Sequence, residues 1–216
     1  MNIILGSSTG IGKSLYEVYK NKNLEVLGID KLESRSTDYV YDFGKIENIK
    51  ELIEQFDDYE ISSITYCIAE QEKGKDIQTI FNTNVLTFLS FLKSLNDDLN
   101  NVSICALSSV HAVSSNYENL YYASSKAALE TGMRTFATKK SNNSFYCLRL
   151  GATNTEQLFE NVDDVKKITD ILPSGKLFKK EEVAKLIYTL NSEHKNLLNG
   201  SVIQIDNAVL SMLRTD

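Results

Sequence analysis

Six short apolar runs, at residues 2–5, 24–29, 61–68, 102–107, 144–150 and 202–206, recur along the chain with amphipathic stretches between them. Each run has strand length and lies between turn signals, and a shorter one stands at 39–41. The stretches near 11–20, 46–56, 77–95, 122–139 and 181–191 carry helical patterns. A strand that is apolar along its whole length must be covered on both faces. Alternation of such strands with helices therefore predicts an α/β fold of Rossmann type, a doubly wound parallel sheet with ligand at the carboxyl ends of its strands. The longest connection, from Ala152 to about Lys180, is expected to hold a short helix around Val162 to Ile171.

With 216 residues and 42% apolar content the chain can bury a sizeable core, and one domain over 1–216 is expected. The formal charge, 23 minus 29 or −6, comes without a basic block, so neither a nucleic acid nor an anionic membrane is an expected partner. The apolar start N-I-I-L-G is too short for a signal-peptide core, and no run reaches the length of a membrane span, which predicts a cytoplasmic protein. Cys67, Cys105 and Cys147 are odd in number, far apart and set in apolar runs. They read as strand residues without disulfide or metal-ligand spacing, and no metal is expected.

The first strand runs directly into G-S-S-T-G-I-G, Gly6 to Gly12, and a helical pattern follows. Glycines there let a pyrophosphate approach the backbone at a helix N-terminus. An acidic residue, Asp30, ends the second strand eighteen residues after Gly12, where it can accept from both hydroxyls of an adenosine ribose. Its carboxylate would repel a 2′-phosphate, so NAD is expected over NADP; Lys31 and Arg35 are the residues that favour the alternative. Tyr-x-x-x-Lys occurs at Tyr16/Lys20, Tyr41/Lys45 and Tyr122/Lys126, but the third alone follows Ser109 by thirteen positions and Asn84 by thirty-eight. Tyr122 and Lys126 are i and i+4, so they share a helix face, whereas the i+4 partner of Tyr121 is Ser125.

In order and approximate spacing, G-S-S-T-G-I-G, Asn84, Ser109, Tyr122 and Lys126 resemble the short-chain dehydrogenase/reductase family, from Asn2 to about Asp206. The resemblance implies a hydride-transfer enzyme that interconverts a secondary alcohol with a ketone or aldehyde. Tyr122 would be the acid/base, Ser109 would polarise the substrate oxygen, Lys126 would lower the phenol's pKa and hold the nicotinamide ribose, and Asn84 would hold a water for proton relay. Strand alternation turns Ser108 away from Ser109's side, and Asn82 is a decoy one helical turn from Asn84. His111, two residues past Ser109, is a candidate for the substrate side, although loop histidines are commonly exposed. Gly6, Ser8, Thr9, Gly10, Ile11 and Gly12 would cradle the dinucleotide, and Asp42 would meet the adenine unless it is an ordinary turn carboxylate. Ala69 matches a cofactor-contacting position, and L-R-L-G-A-T-N-T places Gly151, Thr153 and Thr155 along the nicotinamide half.

The chain departs from the family where Cys67-Ile68-Ala69-Glu70 replaces Asn-Asn-Ala-Gly, where Leu150 replaces proline, and where Asp206-Asn207-Ala208 replaces Asp-Gly-Gly. These departures motivate an alternative, a dinucleotide-binding regulatory or scaffold protein without turnover. Eleven residues separate Asp30 from Asp42, too few for the usual helix. That economy is similar to compact bacterial members such as 3α-hydroxysteroid dehydrogenase/carbonyl reductases, and it supports a small-molecule alcohol or carbonyl substrate. Residues 152–180 are expected to form the substrate lid. The resemblance also implies a homodimer or homotetramer paired through the helices near 77–95 and 122–139.

Overall fold

A computed structural model describes residues 1–45, 49–56, 59–95 and 99–212. The chain begins β1 (Asn2–Leu5), α1 (Gly10–Asn21), β2 (Val26–Asp30), β3 (Tyr39–Val40), α2 (Ile49–Glu54) and β4 (Ser63–Tyr66). It continues α3 (Ile77–Phe81), α4 (Thr87–Leu95), β5 (Ser103–Ser109), α5 (Leu120–Ala137) and β6 (Ser144–Leu150). The last part is β7 (Thr153–Asn154), α6 (Glu156–Asn161), α7 (Val165–Ile171), β8 (Phe178–Lys179), α8 (Lys180–Glu193), β9 (Val202–Ile205) and α9 (Val209–Met212).

Seven strands form one parallel sheet in the order β3-β2-β1-β4-β5-β6-β9, so the direction of winding reverses between β1 and β4. Alternation along each strand divides the core in two. Ile3, Leu5, Ile104, Ala106, Phe145 and Cys147 point to the side covered by α4 and α5, where Phe88, Phe91, Leu129 and Met133 pack. Ile4, Cys105, Leu107, Tyr146 and Leu148 point to the side covered by α1 and α8, against Leu15, Tyr19 and Ile187. Each fully buried large apolar side chain contributes about 1.5–3 kcal/mol. The continuous apolar strands are thus the product of two covered faces. The phenyl rings of α4 face the sheet: Phe88 stacks on Tyr66 at 4.1 Å, and Phe91 packs edge-on to Phe43 and Phe56.

Several local features differ from what the pattern predicts. The stretch 77–95 is helical throughout, but Asn82–Leu86 forms a π turn between α3 and α4, with Thr87 N–H donating to the Asn82 carbonyl. The Tyr66 hydroxyl donates to the Thr83 carbonyl in this widened turn. Residues 46–48 of the helix expected over 46–56 lie outside the described residues. Between 152 and 180 two helices replace the expected one, because two N-caps start them: Thr155 Oγ1 accepts from Leu158 N and Asp164 Oδ1 from Lys166 N. Tyr41 and Lys45 stand in a turn, where the Tyr41 hydroxyl donates to the Lys45 carbonyl at 3.0 Å.

No helix bridges β2 and β3. The connection is held instead by Asp38, whose Oδ2 accepts from Gly28 N at 2.8 Å, and by Ser36, whose hydroxyl donates to the Ser7 carbonyl at 2.7 Å. These bonds fix the end of β2 beside the glycine-rich turn.

Candidate active site

The carboxyl ends of the strands open into a groove of about 1340 Å³, bounded on its far side by α6 and α7. At one end lies the turn Gly6–Gly12. Gly6 adopts φ +94°, and a Cβ on Gly12 would stand 1.9 Å from the Gly6 carbonyl oxygen, so α1 meets the turn closely enough to require glycine. Thr9 is the N-cap of α1 without a side-chain bond, and the first turn of α1 has no acidic residue. Glu156 Oε2 accepts from Gly10 N at 3.1 Å. A carboxylate therefore rests on the positive end of α1, the place where the turn would receive a pyrophosphate.

Asp30 borders the same end. Its Oδ2 accepts from Ser8 N at 3.0 Å and its Oδ1 from Leu32 N at 3.1 Å, which pins the carboxylate to both loops. Ser8, Thr9, Gly10, Ile11 and Asp42 also line the groove. Asp42 does so while its Oδ1 accepts from Gly44 N at 2.9 Å, so it is a turn carboxylate as well. Lys31 Nζ stands 3.6 Å from Glu70 Oε2, across from the loop that follows β4. Ala69, in that loop, receives a hydrogen bond on its carbonyl from Gln157 Nε2 at 2.8 Å.

Ser109, Tyr122 and Lys126 converge in the middle of the groove. Ser109 closes β5, and its hydroxyl accepts from His111 N at 3.3 Å. Lys126 is 1% exposed, donates to the Leu107 carbonyl at 2.9 Å, and has its Nζ 5.8 Å from the centre of the Tyr122 ring. Ser108 turns the other way and donates to Glu130 Oε1 at 2.7 Å, as alternation requires. Gly151, Thr153 and Thr155 line the groove beyond Leu150.

Asn84 is placed differently. Its side chain is fully buried and does not line the groove. Its Oδ1 accepts from Glu70 N at 2.6 Å, and its Nδ2 donates to the Glu70 carbonyl and to Ser125 Oγ, each at 2.9 Å. Ser125 donates to the Tyr122 carbonyl at 2.7 Å. The Asn84 amide thus ties the β4 loop to the helix that carries Tyr122, and its side chain is committed to that clamp. Asn82, by contrast, is bonded to Gln78 on the exposed side.

The sequence matches the family model described as enoyl-(acyl carrier protein) reductase over residues 47–208. The chain belongs to the short-chain dehydrogenase/reductase family. No curated protein sequence matches it. Among solved structures, the fold is similar to a short chain dehydrogenase family protein from Francisella tularensis subsp. tularensis SCHU S4, at TM-score 0.87 and 21% identity over 97% of this chain and 98% of that one. It is also similar to 4-hydroxyisoleucine dehydrogenase complexed with NADH, at TM-score 0.80 and 20% identity over 96% and 98% of the two chains. ElxO with NADP bound is similar at TM-score 0.81 and 22% identity, over 97% and 98%.

The glycine-rich turn of this short-chain dehydrogenase/reductase precedes the matched segment, so its placement beside Ser109, Tyr122 and Lys126 rests on the three-dimensional arrangement. Burial raises the Tyr122 phenol above its ordinary value, and the Ser109 hydroxyl offsets part of that rise. In the protein alone desolvation dominates the phenol, whereas the expected lowering takes the Lys126 ammonium together with an oxidised nicotinamide. Lys126 itself is pushed down to about 8 by burial, against a partial opposing pull from nearby Cys147, Cys67 and Glu130.

Two further residues belong to the site. Glu72 accepts from the Tyr121 and Tyr122 peptide N–H groups at 3.0 and 3.3 Å and so caps α5 from fifty residues away in sequence. No local signal announces such a cap. His111 packs edge-on to Tyr122 at 5.9 Å, and burial lowers its pKa, which keeps the ring neutral near pH 7. No group of three or more acidic, His or Cys side chains suited to a metal occurs among the described residues, and no described helix is long and apolar enough to cross a membrane.

Proposed function

We propose that the protein is an NAD-dependent dehydrogenase/reductase acting on a small-molecule secondary alcohol or the corresponding ketone or aldehyde. The observation that carries this reading is the convergence of Ser109, Tyr122 and Lys126 in one groove with the glycine turn and Asp30 at its other end. The residues fit a dinucleotide: Gly6, Gly10 and Gly12 line the groove at the start of α1, and the N-terminus of that helix already attracts an anion, the Glu156 carboxylate. Gly6, Ser8, Thr9, Gly10, Ile11 and Gly12 would hold the pyrophosphate, Asp30 the adenosine ribose, and Asp42 the adenine side. Ala69, Gly151, Thr153 and Thr155 would border the nicotinamide half.

When bound, the nicotinamide supplies or accepts the hydride. The chain's own groups manage the proton. Tyr122 delivers its phenolic proton to the carbonyl oxygen in reduction, or takes the hydroxyl proton in oxidation. Ser109 donates to the same oxygen and stabilises the charge that develops on it. With a pKa of about 8, Lys126 is mainly charged at pH 7 and opposes the burial that disfavours phenolate, besides bonding the ribose. Asn84 holds Glu70 and Ser125 in place, and its part in a water relay to Lys126 is carried by the family resemblance. The segment 152–180 would serve as substrate lid, consistent with its bonds to Gly10 and Ala69 across the groove. Pairing through the outer faces of α4 and α5, into a homodimer or homotetramer, completes the reading.

The test is NADH formation when NAD and a small-molecule extract of the source cells are added to the purified protein, with Tyr122→Phe as control. NADH made by the wild type and lost in the variant, with NAD binding retained, supports a dehydrogenase. Nucleotide binding without turnover in either direction, over a panel of carbonyl compounds, would favour the regulatory binder.

A further inference from the structure

The ion pair at the adenosine end joins two walls of the groove. Lys31 follows Asp30 directly, and Glu70 comes from the β4 loop opposite. The Lys31 side chain is 55% exposed and that of Glu70 22%. Glu70 is held where it leaves the backbone, since Asn84 clamps both its N–H and its carbonyl. The family usually has glycine at this position, so the carboxylate is a feature of this chain.

We propose that Glu70 is a specificity-determining residue that engages Lys31 and thereby sets the site against a 2′-phosphorylated dinucleotide. The inference rests on the dinucleotide-binding reading above. A 2′-phosphate carries about two negative charges and needs a cation beside the ribose. Among the described residues lining that end, Asp30, Lys31, Asp42 and Glu70 sum to −2. Without Glu70 the sum falls to −1 and the ammonium is available to the phosphate. Glu70 therefore acts twice, by occupying Lys31 and by adding a further carboxylate to those of Asp30 and Asp42 along the groove. A pair this exposed contributes little to folding, so its removal leaves the scaffold intact.

The experiment measures the dissociation constants of NAD⁺ and NADP⁺ by fluorescence or calorimetric titration for the wild type, Glu70→Gln, Lys31→Met and the double variant. Glu70→Gln should tighten NADP⁺ relative to NAD⁺ by about tenfold at low salt, less at high salt. Adding Lys31→Met to Glu70→Gln should remove most of that gain. A ratio unchanged within about twofold in Glu70→Gln, a gain that survives without Lys31, or a wild type that already prefers NADP⁺ would overturn the assignment while leaving the dinucleotide reading intact. A wild type that binds neither nucleotide would overturn both. Thermal unfolding of Glu70→Gln near the wild-type temperature shows that the comparison is between folded proteins.

Discussion

Glu156 links Gly10 to Lys180: one carboxylate oxygen accepts from the Gly10 peptide N–H at 3.1 Å and the other meets Lys180 Nζ at 2.5 Å. Because α1 has no acidic residue in its first turn and no side-chain bond from Thr9, this carboxylate from α6 is the anion at that helix end. A pyrophosphate requires the same N-terminus. Interaction of a charge with a helix end is worth about 0.3–1 kcal/mol, so Glu156→Gln should tighten dinucleotide binding by roughly two- to fivefold. Titration of both proteins with NAD⁺ checks this. Weaker binding in the variant would instead mean that Glu156 orders the turn for its ligand.

Lys126 should be retained at the expense of stability. Its folded pKa, about 8, lies below the ordinary 10.5. Between those values the unfolded chain holds a proton that the folded chain has released, so this group's contribution to stability rises with pH across the window. Below about pH 8 the cost of burying the charge is fully present. Lys126→Met removes the charge but leaves the Leu107 carbonyl without its donor, which offsets part of the gain. We expect about 2 kcal/mol of net stabilisation at pH 7, shrinking toward pH 10, together with loss of turnover. Urea unfolding at the two pH values tests the sign.

The groups that carry the proposed chemistry were legible where local geometry decides them. Strand alternation separated Ser109 from Ser108, and helical spacing put Tyr122 and Lys126 together. The two-sided core follows from apolar residues at successive strand positions, as Ile3 and Ile4 illustrate by packing on opposite faces. Contacts between distant segments left no such trace. Glu72 capping α5 and Glu156 on Gly10 are each an ordinary surface glutamate in sequence, and Glu70 stands out there only as a departure from the family, with nothing to pair it with Lys31. The π turn was hidden as well, because one extra residue in a helical turn barely alters an apolar pattern.

Asn84 should prove a structural requirement as well as a site residue. Its amide satisfies the N–H and carbonyl of Glu70 and accounts for one bond to Ser125, all without solvent access at the side chain. Asn84→Ala leaves these groups unpaired at about 1–3 kcal/mol for each one that water cannot reach. Water entering the vacated volume reduces the sum, and a loss of about 2–3 kcal/mol is expected. Equilibrium unfolding measures it. A loss below about 1 kcal/mol would show that the β4 loop satisfies itself by other means.

Asn207 and Ala208 both adopt left-handed backbone, with φ 56° and 61°, at the two positions where the family usually reads Gly-Gly. The turn is held by Asp206, whose carboxylate accepts from Ala208 N at 3.1 Å, Leu210 N at 3.0 Å and Gln204 Nε2 at 3.0 Å. Three bonds to one buried carboxylate maintain a conformation that the side chains resist. Asparagine tolerates the left-handed region better than alanine does, so the strain falls mainly on Ala208. Relief of about 1–2 kcal/mol on Ala208→Gly is opposed by about 0.5–1 kcal/mol of additional backbone entropy in the unfolded chain. The exposed Ala208 methyl contributes little burial, so the net gain should be about 0.5–1 kcal/mol. Asn207→Gly should stay near zero. Paired denaturant curves decide between this ranking and its reverse, in which the Asp206 bonds, and not the side-chain preference, would set the energy of the turn.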